Sequence, residues 1–166
     1  MTGRRMALAA ALTLLTAGVG GCAGFTPLYA EKGVVEKLGH VQIDVADGRL
    51  AFLMRQSLED ALARDRNTTP QYRLAITFNE RRYPRGLRVN DTATSYELDV
   101  DVNYTLVELK TGAVLMQKYT PVTVTYAATN QPYAGIVAQE DSQNRAAQQA
   151  AQLIKTDVAA FFAGQQ

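Results

Sequence analysis

The chain of 166 residues has a single cysteine, Cys22, and a single histidine, His40. One cysteine excludes a disulfide within the chain, and one histidine argues against a histidine-based metal site, so none is expected. Asp44 follows His40 closely, but neither a serine nor a usable cysteine lies near it in sequence, so no nucleophile, base and acid triad assembles. An excess of one charge is also missing. Seventeen basic against sixteen acidic residues leave a net charge of +1. Such a chain has no global field with which to collect nucleic acid, and an anionic ligand has to be met by a local cluster. Beyond the N-terminus no segment approaches the roughly 20 consecutive apolar residues that span a hydrocarbon core.

The apolar stretch that is present runs from Met6 to Val19, follows Arg4 and Arg5, and ends in Gly20, Gly21 and Cys22. A basic start, an apolar middle and small residues at the end are the marks of a bacterial signal peptide, here residues 1–21. Val19-Gly20-Gly21-Cys22 resembles the site cut by lipoprotein signal peptidase, which makes the Cys22 thiol an acylation point and the chain a lipid-anchored envelope protein. Ala23, not Asp, follows the cysteine, and by resemblance to the enterobacterial sorting rule this points to the outer membrane. Cleavage removes two arginines and leaves about 145 residues with a net charge of about −1, one domain's worth of chain.

Residues 22–38 read as a lipidated tether, and 39–166 as one folded domain. Val41, Ile43 and Val45 alternate with polar residues in a short strand, and Leu50, Leu53, Met54, Leu58, Ala61 and Leu62 form the stripe of an amphipathic helix that is expected to run to about Asn67. Tyr72, Leu74, Ile76 and Phe78 define a second strand, and Tyr96 to Leu106 a third with unbroken alternation. Lys110-Thr111-Gly112 is a tight hairpin connection to a fourth strand, from Val114 to Tyr126, that Pro121 kinks or places at an edge. A final Ala- and Gln-rich helix from about Asn130 to Phe162 carries Ala147, Ala150, Ile154, Val158 and Phe161 on one face. The expected fold is α+β, a two-layer sandwich of order βαβββα, with a four-stranded, mostly antiparallel (mixed) sheet and both helices on its apolar face.

Few residue groups point to chemistry. Gly18 to Ala23 match the spacing of the dinucleotide fingerprint without the strand and helix it requires, so no cofactor is expected. Glu97, Asp99 and Asp101 lie on the polar face of the third strand and read as a solvated or partner-facing surface. Arg81, Arg82, Arg85 and Arg88, interleaved with Tyr83, Pro84, Gly86 and Leu87, form the most pointed charge cluster, in the connection from strand two to strand three. Arginine's planar fork pairs with phosphate oxygens, and the interleaved residues suit acyl or sugar surface; the plainer alternative is a charged turn that blunts a sheet edge. Tyr83, Tyr119, Tyr126 and Tyr133, outside the strict core positions, fit a protein interface or ordinary sheet composition.

Gly21-Cys22-Ala23-Gly24-Phe25-Thr26-Pro27-Leu28-Tyr29, the element order and the tail from Tyr133 to Phe162 together resemble the LPS-assembly lipoprotein family LptE in its alphaproteobacterial form. The resemblance covers nearly the whole mature chain; Ala23 is inserted relative to the family's "GCGFxPLY". It implies a non-enzymatic outer-membrane lipoprotein that plugs and assists assembly of the barrel LptD, and takes part in delivering lipopolysaccharide to the outer leaflet. It also implies lipopolysaccharide contact through basic residues at a sheet end, matched here only by position to Arg81, Arg82, Arg85 and Arg88. The alternative is an auxiliary lipoprotein adaptor of another envelope lipid transporter.

Overall fold

The structure, a computed structural model, describes residues 33–87 and 93–164. In chain order the elements are α1 (Val34–Gly39), β1 (Val41–Val45), α2 (Arg49–Ala61), β2 (Tyr72–Leu87), β3 (Ala93–Glu108), β4 (Val114–Ala127) and α3 (Pro132–Ala163). The four strands form one sheet in the order β1-β2-β3-β4, parallel between β1 and β2 and antiparallel elsewhere. This is the expected mixed α+β sandwich, with one helix more than the sequence pattern shows.

The extra helix is α1. Residues 22–38 read as a tether because six helical residues hold only one turn's worth of pattern, Val34 and Leu38. Both side chains are buried, and Lys37 lies with its Nζ 5.6 Å from the Phe162 ring near the end of α3, so residues 34–38 belong to the fold.

Even-numbered residues of β3 and β4, Leu98 to Leu106 and Thr120 to Tyr126, point to the helices and are buried, while the odd-numbered ones face away. The helices α2 and α3 lie side by side on the covered face. Arg55 fixes α2 over β1 by donating to the carbonyl of Val45 at 2.8 Å. In α3 the buried aromatic is Phe162, with Phe161 only partly covered, a one-residue correction to the expected face. Tyr126, read as lying outside the core, is inside it.

α2 ends at Ala61, earlier than the expected Asn67. Ala63 takes a left-handed conformation (φ 51°), and the N–H groups of Ala63 and Arg64 turn back to the carbonyls of Asp60 and Glu59. A left-handed residue with a Cβ is strained by roughly 1–2 kcal/mol, offset in part by glycine's larger freedom in the unfolded chain. Ala63→Gly is therefore expected to stabilise the fold by about 0.5–1 kcal/mol, seen as a higher urea midpoint at unchanged slope.

β2 departs most from expectation, because the strand does not stop near Phe78 but continues to Leu87. Its register with β3 runs on through Arg81↔Asp99, Tyr83↔Glu97 and Arg85↔Ser95 to Leu87↔Ala93. Arg81, Arg82 and Arg85 therefore sit in a strand and not in a connection. Apolar alternation fades after Phe78 because both faces of this half carry polar side chains. β4 is one continuous edge strand with Pro121 opposite Asp101, and the hairpin before it closes with Gly112 at φ 73°.

Candidate functional site

β1 pairs with β2 only from Val41↔Tyr72 to Val45↔Ile76. Beyond Ile76, β2 has β3 on one side and no strand on the other among the described residues. This distal half of the sheet carries the arginine cluster and is covered by the first turns of α3.

Strand geometry divides the cluster between two faces. On the open face Arg81 pairs with Asp101, which also accepts from the Tyr119 hydroxyl, and Arg85 pairs with Glu97. Thr123 donates to Asp99 at 2.8 Å on the same face. The charge of Asp101 raises the pKa of Arg81, and the hydrogen bond to Glu97 raises that of Arg85, so both remain cations locked to carboxylates. Glu97, Asp99 and Asp101 thus form a ladder of partners for the neighbouring strands, which accounts for three acids in alternate positions.

Arg82 points to the other face. It donates to the Gln139 side chain of α3 at 3.0 Å, and its guanidinium lies 5.0 Å from the Tyr96 ring centroid. Neither neighbour is anionic, and among the described residues Arg82 has no carboxylate within ion-pair distance. Among the described members of the cluster it is the one without a carboxylate partner. Arg88 and Cys22 lie outside the described residues, so the structure brings Arg81 and Arg85 together on one face and sets Arg82 apart.

Beside Arg82 a cleft of about 230 Å³ opens between the strand ends and α3, walled by Tyr96, Tyr126, Thr129, Gly135, Ile136 and Gln139. The Tyr96 and Tyr126 rings stack with centroids 5.6 Å apart. Gln143, one turn on from Gln139, donates to Glu80 at 2.8 Å, and the Ser142 hydroxyl donates to the Gln139 carbonyl at 2.7 Å. This polar seam holds the start of α3 on β2. Tyr133, Ile136 and Val137 on the first turns of α3 are 86%, 57% and 63% exposed, placing apolar surface next to the arginines.

Gly86 shapes the strand here. Its φ is +58°, a conformation that L side chains rarely adopt, and a Cβ would stand 2.3 Å from the Thr94 hydroxyl, so a side chain here would be strained and would have to displace Thr94.

A wider groove of about 660 Å³ between α2 and α3 is open and lined by polar side chains, among them Ser57, Asp60, Gln148 and Gln152. It offers no cation that lacks a counterpart, since Arg145 pairs with Asp141 and Lys155 has a partner as well. His40 contacts the carbonyl of Thr69 at 3.2 Å. No group of three potential metal ligands occurs among the described residues, and no helix among them is long and apolar enough to cross a membrane.

Residues 38–158 match the LptE lipopolysaccharide-assembly family. The chain belongs to that family. The crystal structure of a Caulobacter crescentus CB15 protein assigned as a lipoprotein is 40% identical, with 81% of this chain and 98% of that chain covered and a TM-score of 0.71. Rare lipoprotein B of Shewanella oneidensis is 17% identical over 72% of this chain and 93% of its own, with a TM-score of 0.56. A minor lipoprotein of Acinetobacter baumannii is 14% identical over 72% and 90%, with a TM-score of 0.54. At those lower identities the likeness is one of fold. No match is found among the curated proteins. LptE membership agrees with the resemblance carried by the N-terminal motif and the tail.

The sequence pointed to the arginines, read Tyr126 only as a residue of a protein interface or of ordinary sheet composition, and missed Tyr96, Gly135 and Gln139. Tyr96 and Tyr126 fall in register opposite each other on β3 and β4. The pairing of Gln139 with Arg82 has no sequence signal, because it joins positions 57 residues apart.

Proposed function

We propose that this LptE chain is a non-enzymatic outer-membrane lipoprotein, lipidated at Cys22, that plugs and assists assembly of the LptD barrel and contacts lipopolysaccharide during its delivery to the outer leaflet. The observation that carries the reading is family membership over nearly the whole folded domain. A two-layer sandwich whose open sheet face is polar suits a water-filled barrel lumen, which is itself polar.

Within this reading Arg82 is the anchor of a phosphate clamp, Arg81 and Arg85 on the opposite sheet face are secondary contacts, and Arg88 is the remaining candidate. Arg81 and Arg85 begin neutralised by Asp101 and Glu97, so an incoming phosphate gains less from them. Alanine at Arg82 alone is expected to weaken lipopolysaccharide binding roughly tenfold, the worth of one charge-assisted contact. Alanine at all four positions should weaken it further while leaving the circular dichroism spectrum and barrel co-purification unchanged. Binding by titration against purified lipopolysaccharide checks this, and unaltered affinity in the fourfold variant would remove the clamp.

The barrel partnership is tested by pulling the lipidated protein from detergent-solubilised outer membrane and identifying what comes with it. A stoichiometric complex with a large barrel supports the plug. Recovery with the subunits of an inner-membrane transporter would instead assign the chain to the adaptor class.

A further inference from the structure

Sheet and helix layer both stop short on the β1 side of the distal half, and we propose that this notch receives an extended segment of another protein. The segment adds a strand to β2 at Phe78, Glu80 and Arg82 and lays apolar side chains on the bare start of α3. The pairing asks only for a strand of suitable pattern and not for the barrel reading above, so failure of either leaves the other standing.

The backbone supplies the first argument. Along β2 the even-numbered residues turn their N–H and C=O groups toward β1 and the odd-numbered ones toward β3. The Tyr72 N–H donates to the His40 carbonyl at 3.3 Å, just before β1, whereas the Gln71 carbonyl accepts from Leu109 at 2.9 Å, just after β3. Ile76 is the last residue of β2 with a β1 partner. Phe78, Glu80 and Arg82 therefore present their backbone groups at an edge that no described strand covers, as far as Pro84, which has no N–H to offer. The opposite edge of the sheet is better guarded: on β4 Pro121 interrupts the middle, and Arg145 takes the Thr125 carbonyl at 3.4 Å.

The helix layer ends at the same level. α2 starts at Arg49, whose guanidinium meets Glu140 of α3 at 3.3 Å. Val137 and Tyr133 precede Glu140 on the same stripe of α3, so they lie past the start of α2 and stay exposed. Gln143, through Glu80, and Gln139, through Arg82, hold this part of α3 above β2. A strand laid beside β2 turns every second side chain toward this bare stripe and the others toward the polar open face. Main-chain pairing for affinity and alternate side chains for selectivity are the physics of β-strand addition. The partner segment is accordingly free of proline and alternates apolar with polar residues.

Other occupants fit less well. The chain enters the fold beside Phe162, and Gln139, level with Arg82, lies roughly 35 Å away along α3. With Cys22 lipidated, the ten residues between it and Gly33 reach about 35 Å only when straight, and β1 stands in that line. The link from Leu87 to Ala93 is spent on turning between two residues already opposite each other. In a twofold pair of copies, keeping each Leu87 clear of the other's β1 brings Pro84 opposite Glu80 or a later residue, so a donor is lost inside the paired stretch.

The test follows amide hydrogen exchange, residue by residue, in the whole mature chain with a synthetic peptide. The probe is a capped heptapeptide that alternates valine with threonine and ends in glutamate on both sides; the control has proline in place of its valines. At a free peptide concentration about ten times its Kd, exchange at Phe78, Glu80 and Arg82 is expected to slow roughly tenfold. Asn79 and Arg81, whose N–H groups already face β3, serve as the unchanged reference. Val137→Ser, at an exposed position, should weaken peptide binding roughly fivefold by removing apolar surface from the stripe. Unchanged exchange at about 1 mM peptide, equal slowing by the proline control, or unaltered affinity in Val137→Ser would overturn the proposal. So would slow exchange at the three outward amides without peptide: if it fades on dilution, a second copy fills the notch, and if it does not, a segment of the same chain does.

Discussion

Phe162→Ala is expected to lower the unfolding free energy by about 3–5 kcal/mol, the range for deleting a fully buried aromatic ring. Phe162 is 0% exposed and meets Tyr72 of β2 at 4.9 Å between centroids and Phe161 at 5.7 Å, with the Lys37 ammonium on its face. It joins the first helix, the first residue of β2 and the end of α3. The loss should therefore be uneven: hydrogen exchange of residues 34–39 should accelerate before that of β3. Phe161→Ala, on a half-covered ring, should cost clearly less in the same urea titration. Equal costs would show that the two rings share the burial.

The second large effect is expected at Asp157. Its carboxylate accepts from the Tyr104 hydroxyl and from Lys118 Nζ (2.5 Å), tying α3 to β3 and β4, and Tyr104 also touches Thr120 at 3.4 Å. Asp157→Ala removes two charge-assisted contacts from a partly covered site and should cost about 2–3 kcal/mol. Burial raises the pKa of Asp157, but the hydrogen bonds from Lys118 and Tyr104 and the Lys118 charge outweigh it, so the net shift is downward. Glu59 is lowered in the same manner by Arg66 and Arg64 against its own burial. A carboxyl with a lowered folded pKa contributes stability that is present above its unfolded value, near 4, and is lost as pH falls through the folded one. Tyr104 is the opposite case. Burial, then the bond to Asp157, pushes it up to about 12, so its contribution is complete below the ordinary phenol value and disappears as pH rises to about 12. Thermal unfolding across pH should show a plateau with an acid fall below about pH 4 and an alkaline fall between about pH 10 and 12. In Tyr104→Phe the alkaline fall should shrink. In Asp157→Ala the acid fall should shrink but persist, because Glu59 still titrates.

What could be read from the chain followed from contrast between apolar and polar positions. β3 alternates without a break, and every second residue from Leu98 to Leu106 is buried as that pattern demands. The α2 stripe was equally plain, but its end was not, because an alanine in a left-handed turn leaves no mark of the kind glycine or proline would. The second half of β2 was hidden for a different reason: Arg81 and Arg82 are both charged although they face opposite ways, so the alternation exists in direction and not in hydrophobicity. That hidden strand is also why the arginines looked like one cluster. Only the register shows Arg81 and Arg85 spoken for by Asp101 and Glu97 while Arg82 turns to Gln139. The cleft was illegible altogether, since its walls come from three strands and a helix far apart in sequence.

The length of α3 has a consequence for orientation. At 1.5 Å per residue, Phe162 and Ile136 are separated by roughly 40 Å along the helix axis. The chain enters the fold beside Phe162, through α1, whereas Arg82 and the tyrosines are gathered at the Ile136 end. With a lipid on Cys22, the domain would hang from one pole and hold its arginines at the other. Ten residues of leader between Cys22 and Gly33 reach about 35 Å at full extension, less than the height of the domain itself. Under the proposed anchoring, a protein moored on so short a line would turn its arginine-bearing pole away from the leaflet that moors it, and would meet glycolipid only where something else carries it across the intervening space.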